Sequence, residues 1–109
     1  MLFAFTVQEE IGLRGARVAG YDFEPDMAFV IDSTPAFDLP LPDEEAENTQ
    51  YNCRLGAGPA IYLSDAGTIS DPRLVQFLVR LAEEHNIPCQ FRQPGGGGTD
   101  AGAIHTTGE

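Results

Sequence analysis

The sequence predicts an α/β fold, on three observations. Apolar runs of strand length recur at residues 1–7, 27–31 and 59–63, and the first two are followed closely by carboxylates. Residues 72–86 carry a full set of helix signals: a capping aspartate, a proline at the first position and an apolar stripe. Immediately after that helix, residues 89–92 have the length and place of a strand returning to the sheet.

Taken in order, residues 1–6 (MLFAFT) show no polar alternation until Thr6, so they are expected to form an inner, central strand covered on both faces. The chain would emerge from that strand at Glu9 and Glu10. Ligand sites in α/β folds lie at such strand ends. Two adjacent carboxylates must repel, share a proton or share a cation, and a cation removes the like-charge penalty. The alternative is a solvated surface pair, since charged side chains are mostly outside. Gly12 and Gly15 bracket Leu13 and Arg14 in a tight turn, and residues 16–19 can start a short helix. A solvated loop has no need of that much backbone specification.

Residues 21–25 are turn-like, and residues 27–31 form a second expected strand ending at Asp32, a second carboxylate at a strand end. Residues 33–52 hold Pro35, Pro40 and Pro42 and the acidic cluster Asp43, Glu44, Glu45 and Glu47, which reads as a long flexible loop. The cluster lacks the alternating ligands and glycine of a calcium loop. A third strand is expected over 59–63, with Gly56 and Gly58 permitting close backbone approach before it. Asp65, followed by Ala66 and Gly67, reads as a turn-former rather than a ligand.

The helix over 72–86 has Asp71 as N-cap and Pro72 at its first position, with Leu74, Phe77, Leu78, Leu81 and Ala82 as a core-facing stripe. It stops before Pro88. Four glycines, Gly95 to Gly98, then lead into Thr99 and Asp100, superficially like a phosphate cradle; the Lys-Ser/Thr that a P-loop requires is absent, so nucleotide binding is rejected. Thr99 and Asp100 either shape a pocket or only cap the following helix. His85 and His105 read as surface or packing residues.

Composition narrows the function. A chain of 109 residues makes one domain, burying roughly 60–68% of its unfolded surface. Seventeen acidic against six basic residues, a formal charge of −11, argue against nucleic acid as a partner. The first apolar run is too short for a membrane span and has no basic flank, so neither membrane nor export is expected and the location reads as cytoplasmic. Cys53 and Cys89 have no zinc-finger spacing, and reduced thiols are expected of them.

The motifs together carry a resemblance. Residues 7–16 (VQEEIGLRGA), 28–32 (AFVID), 34–36 (TPA), 38–40 (DLP), 55–61 (LGAGPAI), 87–90 (IPCQ) and 97–105 (GGTDAGAIH) resemble, in order, the glutamyl aminopeptidase family of two-metal peptidases, the tetrahedral aminopeptidases of clan MH. Some relatives have carried an endoglucanase label. The resemblance implies a three-layer α/β/α zinc-aminopeptidase-like catalytic domain, of which residues 1–109 would be a part truncated at both ends.

It also implies roles. Glu9 matches the general base, Glu10 a ligand of one metal and Asp32 a ligand of the other, with Gly98, Thr99 and Asp100 beside the substrate. The implied cofactors are two divalent ions, zinc or cobalt, and the implied substrate is a peptide. Two histidines and a bridging aspartate of the family's site fall outside this sequence, so the isolated chain is expected to be inactive, and the full-length protein is expected to be a homo-oligomer. Two other readings stand beside this one: an inactive module completed by a partner, and a glycosidase. Adjacent carboxylates are poorly placed to flank one glycosidic bond, and the chain has no Trp for sugar stacking, so the peptide substrate is favoured.

Overall fold

The computed structural model describes residues 1–36, 38 and 53–108. The predicted acidic loop lies almost wholly outside the described residues. Chain contacts divide the protein into two compact units, one of Met1–Asp32, Asp65–Thr68 and Gly96–Glu109, the other of Ser33–Ser64 and Ile69–Gly95.

The second unit is a β-α-β arrangement. Strand β1 (Ala60–Tyr62) pairs in parallel with β2 (Gln90–Arg92), Ala60 opposite Gln90, Ile61 opposite Phe91 and Tyr62 opposite Arg92. The intervening helix, Pro72–Glu84, packs against β1 and is numbered α2, with α1 and α3 in the first unit. The helix starts where the sequence says it should. Asp71 accepts from the Arg73 N–H at 2.8 Å and Pro72 occupies the first turn.

Helix α2 ends two residues earlier than the sequence suggests, for a local reason. Asn86 takes φ 53°, its N–H bonds the Glu83 carbonyl at 3.2 Å and that of Ile87 bonds Ala82 at 2.8 Å, a Schellman closure that Pro88 then enforces.

The βαβ entry depends on one glycine. Gly58 has φ +87°, and a Cβ there would collide with the Pro88 carbonyl. Gln90 ties the same corner, donating from Nε2 to the Gly58 carbonyl at 2.8 Å and to the Arg54 carbonyl at 3.1 Å while accepting from the Arg54 N–H at 2.9 Å. Across the register the Arg92 guanidinium lies over the Tyr62 ring, 4.7 Å from its centroid.

In the first unit α1 (Arg14–Phe23) packs on α3 (Ala101–Ile104). Small residues make the contact possible. Ala16, Gly20 and Ala103 are buried, and a Cβ at Gly20 would strike the Thr107 side chain.

Two expected strands do not form. Residues 1–6 and 27–31 are neither strand nor helix, and Phe5 and Ile31 are 98% and 96% exposed. A strand exists only by pairing its N–H and C=O groups with another backbone. Among the described residues no segment pairs with either run. The stripe of α2 is also less covered than expected: Ala82 is buried, Leu74, Leu78 and Leu81 are half-buried and Phe77 is exposed. No helix of the described residues is long and apolar enough to cross a membrane.

Candidate functional site

The site begins with a turn that the backbone holds tightly. After the first apolar run, the Val7 carbonyl accepts from the Gly15 N–H at 3.0 Å, Gln8 from Arg14 at 3.2 Å, and Glu9 from both Gly12 at 3.1 Å and Leu13 at 2.9 Å. The first turn of α1 therefore grips residues 7–9. The grip needs glycine at position 15, where a Cβ would sit 2.6 Å from both the N and the O of Val7. Gln8 between them takes φ 61°, a left-handed conformation uncommon for a residue with a side chain. Such strain recurs at functional sites when the surroundings over-determine it.

Of the carboxyls singled out by sequence, Glu9 and Glu10 lie on this turn, and Asp32 and Asp100 act on Glu9 through their charge. Glu9 is half-buried, and its proton affinity is raised above the ordinary 4.5, first by loss of water and then by the negative charge of Glu10, Asp32 and Asp100. Glu10 and Asp32 are exposed, whereas Asp100 is only 8% exposed.

The glycine run reaches the same unit. Gly97 has φ +81° and its carbonyl accepts from the Ala66 N–H at 3.0 Å. Gly98 is exposed, with open space where a side chain would project. Thr99 is buried, and its Oγ1 accepts from the Ala101 N–H at 3.3 Å, which caps α3. Asp100 occupies the N-cap position of α3 but makes no cap bond; its Oδ2 accepts from the Thr6 hydroxyl instead.

Thr6, whose hydroxyl donates to the Asp100 carboxyl, is a residue to which the sequence drew no attention. Its one signal was a hydroxyl closing an otherwise apolar run. Asp65 is the turn-former expected, its Oδ1 accepting from the Gly67 and Thr68 N–H groups at 2.8 Å each. His105, exposed, sits 3.0 Å from the Gly67 carbonyl through Nε2, and His85 is the exposed C-cap residue of α2. An open apolar groove between residues 4–7 and α1, lined by Phe5, Val7, Val18 and Phe23 among others, holds none of the candidate carboxyls.

A divalent cation fits this donor set in kind. Glu10 and Asp32 offer the oxygen ligands that such ions take, and a cation would relieve the repulsion recorded at Glu9. In number the set falls short: among the described residues no group of three or more His, Cys, Asp or Glu side chains is placed to hold a metal ion.

Comparison with known proteins follows the same lines. Residues 1–109 match the family described as M42 glutamyl aminopeptidase. The chain is 38% identical over 105 residues to the glutamyl aminopeptidase of Lactococcus lactis subsp. cremoris, covering 96% of this chain and 27% of that protein. Among solved structures, a TET aminopeptidase from the marine sediment archaeon Thaumarchaeota archaeon SCGC AB-539-E09 superposes with a TM-score of 0.81 at 38% identity, covering 92% of this chain and 27% of that one. The TET1 peptidase of Pyrococcus horikoshii, described as able to assemble into a tetrahedron or a large octahedral shell, gives 0.67 at 31% identity over 98% of this chain and 29% of that one. The chain thus spans less than a third of the length of these proteins.

Proposed function

Since the chain belongs to the M42 glutamyl aminopeptidase family, we propose that it contributes the general base and two metal ligands to a metal-dependent aminopeptidase that removes N-terminal residues from peptides. One observation carries the reading: Glu9 and Glu10 sit on a turn whose backbone is pinned by the start of α1, where loss of water and the charges of Glu10, Asp32 and Asp100 raise the proton affinity of Glu9.

In this mechanism Glu9 accepts the proton of the water that attacks the scissile carbonyl. Its environment suits that task, because a base works best when its proton affinity is brought toward the working pH, and both burial and the neighbouring carboxyls push Glu9 that way. Glu10 and Asp32 serve as donors to two divalent ions, zinc or cobalt, which when bound acidify the attacking water and polarise the carbonyl. Gly98 and Thr99 border the substrate, with Gly98 leaving room for its backbone.

The absence of a three-donor group among the described residues favours a site completed by donors from outside them. The 109-residue chain by itself is therefore expected to be inactive. In this reading the complete protein is cytoplasmic, and it is a homo-oligomer, the latter supported by the assembling TET1 peptidase to which the chain is similar.

The test uses the complete protein. Glu9→Gln should abolish turnover with metal content unchanged, and Asp32→Asn should lower metal content. Unchanged turnover in the first variant, or loss of its metal, refutes the assignment.

A further inference from the structure

We propose that Asp100 is a positioning residue for Glu9: through the Thr6 hydroxyl, its carboxyl holds the segment from which both glutamates project. The role rests on the reading of Glu9 as the base.

Asp100 stands where a helix cap stands, yet the capping work at the start of α3 is done by Thr99, whose Oγ1 takes the Ala101 N–H. The Asp100 side chain is directed elsewhere, to a hydroxyl 94 residues away in sequence. Burying a carboxyl for that single contact is costly unless the contact serves something. The cost is visible: Asp100 is 8% exposed, and its other oxygen, Oδ1, has no hydrogen-bond partner among the described residues.

What the contact serves follows from its place. Thr6 lies three residues before Glu9. On the helix side, the Gly15 N–H holds the Val7 carbonyl at 3.0 Å. Asp100 supplies a second hold one residue earlier, so that Thr6 and Val7 are both fixed just before Gln8, the residue kept left-handed. Both come from one packed pair, since α1 and α3 are in contact and the Leu13 side chain lies 3.4 Å from where a Gly102 Cβ would be. A Thr6 released from Asp100 leaves the segment held only by the 12–15 turn, through the N–H groups of Gly12, Leu13, Arg14 and Gly15.

The experiment compares Thr6→Val, Thr6→Ser, Asp100→Ala and the Thr6→Val/Asp100→Ala double variant in the complete protein, with Glu9→Gln alongside. Misplacement of a catalytic group by about 1 Å costs on the order of 100-fold in rate. Thr6→Val and Asp100→Ala should each lower kcat roughly 10- to 100-fold with KM within about twofold, and the double variant should be no worse than the poorer single one. Thr6→Ser, which keeps the hydroxyl, should stay near wild type. By amide hydrogen exchange the Gly15 N–H should open faster in Thr6→Val than in Thr6→Ser.

Wild-type kcat in Thr6→Val with Glu9→Gln inactive overturns the positioning role and leaves Glu9 as the base. Equal losses in Thr6→Ser and Thr6→Val, multiplying losses in the double variant, or unaltered Gly15 exchange overturn it as well. Full activity in Glu9→Gln overturns the reading beneath it. Thr6→Val is nearly isosteric, so the comparison stands even where Asp100→Ala fails to fold.

Discussion

Replacing Gly15 by alanine should destabilise the protein, although alanine is the better helix former. A methyl at that position would lie 2.6 Å from the Val7 N and the Val7 O and 3.4 Å from the Thr6 carbonyl carbon. All three are backbone atoms, so no rotamer change relieves the clash. Ordinary contact at about 3.4 Å or more requires residues 6–8 and the start of α1 to part by roughly 0.8 Å. The Gly15–Val7 hydrogen bond, now 3.0 Å, then lengthens to about 3.8 Å and is lost. Overpacking costs about 1–3 kcal/mol and the lost bond about 1 kcal/mol, offset by about 1 kcal/mol of helix propensity. The net is a loss of ~1–3 kcal/mol, readable as a lowered midpoint in denaturant. In the complete protein turnover should fall about 10-fold or more, because the displaced segment carries Glu9. Equal or greater stability, the usual result of Gly→Ala inside a helix, would refute the close approach and the argument built on it.

Three other outcomes are expected. Gly58→Ala adds left-handed strain at φ +87° to a collision with the Pro88 carbonyl, and should cost ~3 kcal/mol or more in denaturant unfolding; a loss under about 1 kcal/mol would contradict it. In metal-stripped protein, Glu9→Gln should be more stable than wild type at pH 7. The folded protein holds the Glu9 proton above the ordinary 4.5, so wild-type stability falls as pH rises through that window while the Gln variant is spared; a wild type more stable than the variant at pH 7 would count against the clustered charges. Asp71 behaves oppositely. Hydrogen bonds from the Arg73 side chain and N–H hold it down to about 2, so its small advantage over Asp71→Asn should be complete above 3.8 and vanish as pH falls toward 2, with salt weakening it because Arg73 is exposed; helical circular dichroism across that range reads it.

How legible the protein was varies with the distance over which each signal acts. Helix α2 announced itself because Asp71, Pro72 and the stripe are local, and Asn86 and Ile87 close it with hydrogen bonds to Glu83 and Ala82 just before Pro88. The glycines before β1 were legible in part. Gly58 makes the predicted close approach, while Gly56 has open space about it and only its φ of +77° calls for glycine. The short turn after Gly12 pointed to α1, but not to its reach as far as Phe23, which goes with the packing of α1 on α3 and of Gly20 against Thr107.

By itself the sequence determined the α/β class and the βαβ segment, because residue type and short spacing are enough to specify caps and turns. Only the tertiary structure decided that residues 1–6 and 27–31 find no strand partner among the described residues, since pairing depends on a second backbone that a periodicity cannot supply. It alone decided, too, that Glu9, Glu10, Asp32 and Asp100 share one electrostatic environment and that Asp100 answers Thr6 rather than its own helix. Contacts that span 94 residues leave no trace in local pattern, because what brings them together is the packing of α1 on α3 rather than any preference of the residues themselves.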